Sequence, residues 1–140
     1  MISVTGITEN YILQPETIEK HSKTLELLSA TVLWKGELRT FQKILDQRAP
    51  LLTTIDDKKK IDHFQNLITY YSGEVVDELR KKLRDHENKL AHMLEAKDES
   101  YVQYFKEHDT IMDQVTTFSN LFKEFRAEFL AFTEKVKTIS

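Results

Sequence analysis

A chain of 140 residues with 40% hydrophobic content is long enough for one domain with a real core and too short for two ordinary ones. Its 20 basic and 23 acidic residues are interspersed and leave a net charge of −3, so no face is built for a nucleic-acid backbone or an acidic membrane surface. The absence of cysteine excludes disulfides, thiolate metal sites and a cysteine nucleophile, and no window approaches the ~20 apolar residues of a membrane span.

Three glycines and two prolines leave few places to turn, which favours long helices. Met1 to Gln14 carries no helical stripe, and Val4, Thr5, Gly6, Ile7 and Thr8 lean extended, so an irregular or short extended arm is expected there. Met1 to Leu13 also lacks a basic start and a continuous apolar stretch, so no secretory signal and a cytoplasmic location are expected. Pro15 suits a first helical position, and Glu16 and Glu19 favour the positive end of the helix dipole. The seam of this first helix runs through Ile18, His21, Leu25, Leu28 and Val32, then slips onto Trp34, Leu38, Phe41 and Leu45 before Pro50 ends it.

Thr54 or Asp56 is placed to cap a second helix from about Asp57 to Ala96. Its seam reads Ile61, Phe64, Ile68, Tyr71 and Val75, passes a stutter near Gly73, and continues as Leu79, Leu83, His86, Leu90 and Met93. A turn at Lys97 to Ser100, with Asp98 or Ser100 as cap, opens a third helix. There Tyr101, Tyr104, His108, Ile111, Val115, Phe118, Phe122, Phe125, Phe129, Phe132 and Val136 alternate in steps of three and four, a coiled-coil-like seam with one polar member. Short connections force antiparallel neighbours. The expectation is an all-α, up-down-up bundle of three long helices over residues 15–140, with four helices if the second breaks near Gly73, preceded by the arm 1–14.

Counting back from turns near Thr53 and Asp98 pairs positions across the hairpins. Phe41 then faces Phe64, and Phe64 faces Phe132; Trp34 lies level with Tyr71, Gly73 and Phe125, where a glycine makes room for the indole. In the other half, His21, His86 and His108 fall at one height, one histidine from each helix. Three kinds of chemistry suit such a layer. Neutral imidazoles can hydrogen-bond and fix helix register; three imidazoles can face zinc or iron, with Glu87, Asp85, Asp109 or Asp113 completing the coordination; or the layer can loosen when the imidazoles take protons together.

His108-Asp109-Thr110-Ile111-Met112-Asp113 resembles the final metal-binding motif of hemerythrin-like bundles, a histidine followed five residues later by an aspartate. The resemblance covers six residues and implies a metal role for His108 and Asp113. The family's other signatures are missing: His63 is followed at the required spacing by Leu67 rather than a glutamate, and His86 and His92 are six residues apart rather than four. No glutamate stands three residues before a histidine, as in ferritin-type bundles, and neither a His-Glu-x-x-His run, a Gly-x-Ser-x-Gly elbow nor a glycine-rich phosphate loop occurs.

His63, beside the second seam, is placed to pair with Asp46, Glu37 or Gln42, and His92 lies off the apolar face. The basic run Arg80, Lys81, Lys82 and Arg84 is flanked by acids and reads as a solvated face with helix-spaced ion pairs. The function expected is a non-catalytic binding or assembly module acting through its surface on a protein partner or a second copy. Its apparent second stripes, Leu27, Leu33 and Ile44 on the first helix and Leu121 and Leu130 on the third, exceed what three helices bury. The alternative is a metal-binding bundle using His21, His86 and His108 with Asp113 or Glu87.

Overall fold

The computed structural model describes residues 7, 8 and 11–139; Val4, Thr5 and Gly6 of the expected arm and the side chain of Val136 lie outside the described set. Two short antiparallel strands, β1 (Ile7–Thr8) and β2 (Tyr11–Ile12), pair Ile7 with Ile12 and Thr8 with Tyr11. The helices are α1 (Pro15–Arg48), α2 (Ile55–Tyr70), α3 (Asp77–Ala96) and α4 (Val102–Ile139). A 3₁₀ turn at Ala49–Leu51 follows α1, and a π-helical segment at Tyr71–Val76 joins α2 to α3. The fold is an all-α bundle of three long helices, the second in two α pieces.

Each end has a local cause. Pro15 opens α1, and the first bond of that helix runs from Ile18 N–H to the Gln14 carbonyl at 3.0 Å. The Thr54 hydroxyl accepts from Asp57 N–H at 3.1 Å and caps α2, whose first turn holds Asp56 and Asp57. After α3, Lys97 takes a left-handed conformation (φ 56°) while its N–H bonds to the Leu94 carbonyl and Asp98 N–H reaches back to Met93 at 3.1 Å. That pair of bonds is the Schellman ending, which stops a helix and reverses the chain.

Tertiary contacts divide the chain into two compact units, residues up to Thr31 with Glu78–Val115, and Val32–Asp77 with the chain from Thr116. The second has an aromatic core. Phe64 meets Phe132 at 5.2 Å between ring centroids, as the counting predicts, whereas the ring neighbours of Phe41 are Phe122, Phe125 and Phe129, the last at 4.7 Å. Trp34 lies edge-on to Phe118 at 5.0 Å, and Tyr71 meets Phe118 and Phe125 edge-on.

Gly73 makes no room for the indole: it is exposed, and a Cβ there would have nothing within 4 Å. The stutter is instead absorbed by the π segment. Buried positions run Phe64, Ile68, Tyr71 and then Val76 rather than Val75, a step of five residues that a π turn accommodates without breaking the helix.

The first half of α1 departs from its expected seam. Leu25 and Val32 are 43% and 55% exposed, and the buried residues are Thr17, His21, Thr24, Leu27 and Thr31. Thr17, Thr24, Thr31, Leu38 and Leu45 recur at an unbroken seven-residue interval, so the helix needs no slip. Threonine can hold such positions because its hydroxyl bonds back to its own helix, Thr24 to the Lys20 carbonyl at 2.8 Å and Thr31 to Leu28 at 2.6 Å. Of the second-stripe residues, Leu27 is buried and Ile44 half-buried; Leu33, Leu121 and Leu130 are exposed.

Phe129, fully buried against the rings of Phe41, Phe64 and Phe125, should lose about 3–5 kcal/mol of stability on replacement by alanine. Leu25→Ala, on the face first expected to be core, should cost less than about 1 kcal/mol. Chemical denaturation of both variants checks the assignment of the two faces.

Candidate functional site

The buried histidines and carboxylate of the first unit come from three helices: His21 from α1, His86 from α3 and His108 from α4 at seam positions, where the three-four spacing aims them inward, and Glu87 beside His86. His86 is completely buried, and Glu87, His108 and His21 are 3%, 6% and 8% exposed. Half-buried Glu107, one residue before His108, completes the group.

These residues form two hydrogen-bonded sets. In one, the His21 imidazole Nδ1 pairs with the Glu87 carboxyl. In the other, Lys89 donates to Glu107, Glu107 lies 2.8 Å from His86 Nδ1, and His86 Nε2 lies 3.0 Å from His108 Nδ1. The Tyr104 ring stands edge-on to His86 with centroids 4.1 Å apart. Glu107 settles the tautomers. An ionised carboxylate only accepts, so His86 Nδ1–H donates to it; His86 Nε2 is then a lone pair and must receive the Nδ1–H of His108.

The electrostatics agree with a neutral pair. Burial lowers the pKa of His86, against the opposing pull of Glu107. Burial and the neighbouring His86 bring His108 from the ordinary 6.5 down to about 4. Burial pushes Glu107 up, but hydrogen bonds from Lys89 and His86 outweigh it and hold the carboxyl below its ordinary range. Glu87 is raised by burial, with His21 acting against the rise. One extra proton fits the relay if His86 becomes an imidazolium bonded to Glu107 and to a His108 that has moved its own proton to Nε2. A second sets two N–H groups face to face.

The structure thus brings His86 and His108 together and sets His21 against Glu87, next in sequence to His86. Asp85, Asp109 and Asp113 are exposed on the outer sides of α3 and α4. Among the described residues no three His, Asp or Glu side chains are arranged to hold a metal ion, and both ring nitrogens of His86 are engaged within the protein. Around this group, Glu87 Oε2 and the Tyr104 hydroxyl are buried without a hydrogen-bond partner among the described residues. Glu107 is the member that sequence reasoning missed; the count about Asp98 sets it opposite Lys89 and was there to be used. His63 is exposed, while its expected partners are engaged elsewhere, Glu37 with Arg126 and Gln42 with Gln65 and Asp46. Lys82 bonds Gln114 and pairs with Glu78, as a solvated basic run would.

His108→Leu alone strands the acceptor of His86 in the core and should cost about 1–3 kcal/mol, whereas His86→Leu with His108→Leu should cost less than the two single changes summed, as measured by denaturation. Because both imidazoles are harder to protonate when folded, the unfolded chain binds more protons between pH 6.5 and about 4. Wild-type stability should therefore be fully present above about pH 6.5 and fall as the pH drops toward 4, with Glu87 working in the opposite sense. A denaturation midpoint that is flat over this window would contradict the neutral relay. The chain matches no protein-family model, no curated protein and no solved structure.

Proposed function

We propose that this chain is a non-catalytic helical bundle that works as a binding or assembly module through its surface, with a protein partner or a second copy as its ligand and a cytoplasmic setting. The observation that carries the proposal is the pair Val32 and Leu33, adjacent on α1 and 55% and 72% exposed. The inward positions of the same helix, Leu38, Phe41 and Leu45, are already packed, so these two aliphatic side chains serve no core of their own chain. The buried histidines described above bond to neighbouring side chains rather than facing solvent, where a substrate would meet them. No helix among the described residues is long and apolar enough to cross a membrane.

Leu33→Asp should weaken the association by about ten-fold or more, the worth of one buried leucine, as read by sedimentation velocity for self-association and by cross-linking to a captured partner. A wild-type chain that is monomeric and partnerless, or a Leu33→Asp variant that associates as tightly, overturns the proposal.

Metal binding is the second reading, and it draws on four ionisable side chains, His21, His86, Glu87 and His108, buried in one unit. Zinc or iron there would require the His86 to His108 hydrogen bond to open. Elemental mass spectrometry after incubation with zinc or ferrous iron distinguishes the two cases. About one retained equivalent, lost in His108→Leu, supports it, and metal-free protein rejects it.

A further inference from the structure

The attachment of the N-terminal arm is unlike the rest of the bundle. Leu13 is 2% exposed and sits in a cluster with Leu90, Met93 and Leu94 of α3 and Tyr104 of α4, while its neighbours Ile12 and Gln14 are exposed. The described polar attachments of the arm converge on one carboxylate in the α3–α4 turn. Glu99 accepts from the Tyr11 hydroxyl, from Gln14 N–H at 3.0 Å and from the Thr17 hydroxyl. Burial acts to raise the Glu99 carboxyl, and these donors outweigh it and hold it below its ordinary range; the Tyr11 phenol is correspondingly pushed up to about 12, chiefly by its hydrogen bond to Glu99. Two strands of two residues each cannot hold themselves in place. Among the described residues, 11–14 are therefore seated by the Leu13 plug, with Tyr11 packed against the same cluster, and by one carboxylate.

What lies beneath the plug gives the seat its meaning. Tyr104 belongs to the Leu13 cluster and stands edge-on to His86, so one residue links that cluster to the buried relay. Met93 and Tyr104 also line an apolar surface pocket of about 270 Å³, open to solvent, with Tyr101, His92, Gln103 and Lys89 around it. A space to move into and a plug held by few bonds are what a local opening needs, since such openings occur where buried contacts are few.

We propose that the segment Tyr11–Gln14 is a strap over the Tyr104 side of the buried histidine relay: Glu99 latches it, Leu13 plugs the cluster that holds Tyr104, and its release opens a path for solvent along Tyr104 to His86 while the helices stay folded. The strap makes access to the relay from the Tyr104 side a property of this segment and separates it from the global stability of the bundle.

Hydrogen exchange and carbethoxylation by diethyl pyrocarbonate, both read by mass spectrometry, test the strap in the full chain. Glu99→Gln removes the charge of the latch at constant shape, and Leu13→Ala shortens the plug. Each should speed exchange of the arm amides about ten-fold or more, the factor set by losing one charge-assisted hydrogen bond or part of one buried leucine. Each should also speed labelling of His86 relative to exposed His92, with exchange over Leu79 to Leu83 and the far-ultraviolet circular dichroism unchanged. Parallel acceleration of the arm and of α3, labelling of His86 that does not follow the arm, or no change in either variant overturns the proposal. If a variant fails to fold, the wild-type chain decides the matter. Arm amides that open through sub-global events at low denaturant support the strap, and arm amides protected as strongly as those of α3 refute it.

Discussion

A polar group taken out of water must find a partner, because leaving it unmade costs about 1–3 kcal/mol and more if it is charged. The unit containing Glu78–Val115 is organised around that constraint, which its buried histidines meet although Glu87 Oε2 and the Tyr104 hydroxyl do not. Its inward positions include three histidines, a glutamate and threonines, where a helical core would ordinarily use leucine. The threonines meet the requirement within their own helix by bonding to the preceding turn. The histidines cannot, and so they fix how the three helices face one another. His86 is correct only if Glu107 lies on one side of its ring and His108 on the other, and His21 only if it meets Glu87. A shift of α4 by one turn, ~5.4 Å, would leave several of these groups unmatched at once.

The other unit solves a different problem by different means. Its core is mainly aromatic, with Leu38, Leu45, Leu52, Ile68 and Val76 beside the rings, and the rings meet in offset and edge-on arrangements. What it requires is that the apolar side of the second helix stay continuous through the stretch from Tyr71 to Val76, where the sequence carries one residue more than an α-helical repeat allows. The π segment takes up that residue and keeps Tyr71 and Val76 both buried. The Arg126 guanidinium, forked onto Glu37 and lying over the Phe122 ring at 4.9 Å, covers the edge of this aromatic core.

The expectations failed in the same way at each place. Leu25 and Val32, apolar and at seam spacing, are expected inside and lie exposed, while Thr17, Thr24 and Thr31, which the seam passes over, are buried. The seven-residue spacing of the threonines was visible in the chain, but hydropathy alone ranks a threonine below a leucine and cannot register a hydroxyl satisfied by its own backbone. Asp113, chosen because it follows His108 at a known interval, is exposed, since five residues along an α-helix is a rotation of ~140° and carries a side chain off the buried face. Gly73 was given a packing role across the hairpin because it lacks a side chain; its place on the exposed side of the π segment depends on a backbone geometry that composition does not announce.

By itself the sequence determined the all-α class, the number of long helices, their ends at Pro15, Thr54 and Lys97, and nearly the whole seam of α4, because these follow from local periodicity and from residues that cap or break a helix. It also determined that His21, His86 and His108 lie at similar heights, because short turns leave little freedom in how hairpins align. Only the tertiary structure decided the rest. Which side of α1 is buried, that Glu107 rather than an aspartate meets His86, and that Glu99 bonds Tyr11 and Gln14 while Leu13 joins the cluster of Tyr104 are matters of how side chains rotate about their own helix axes and reach across to others. Helical spacing gives a height and a face to within a turn; the partner of a hydrogen bond is chosen at a scale of ~3 Å, which only the packed helices set.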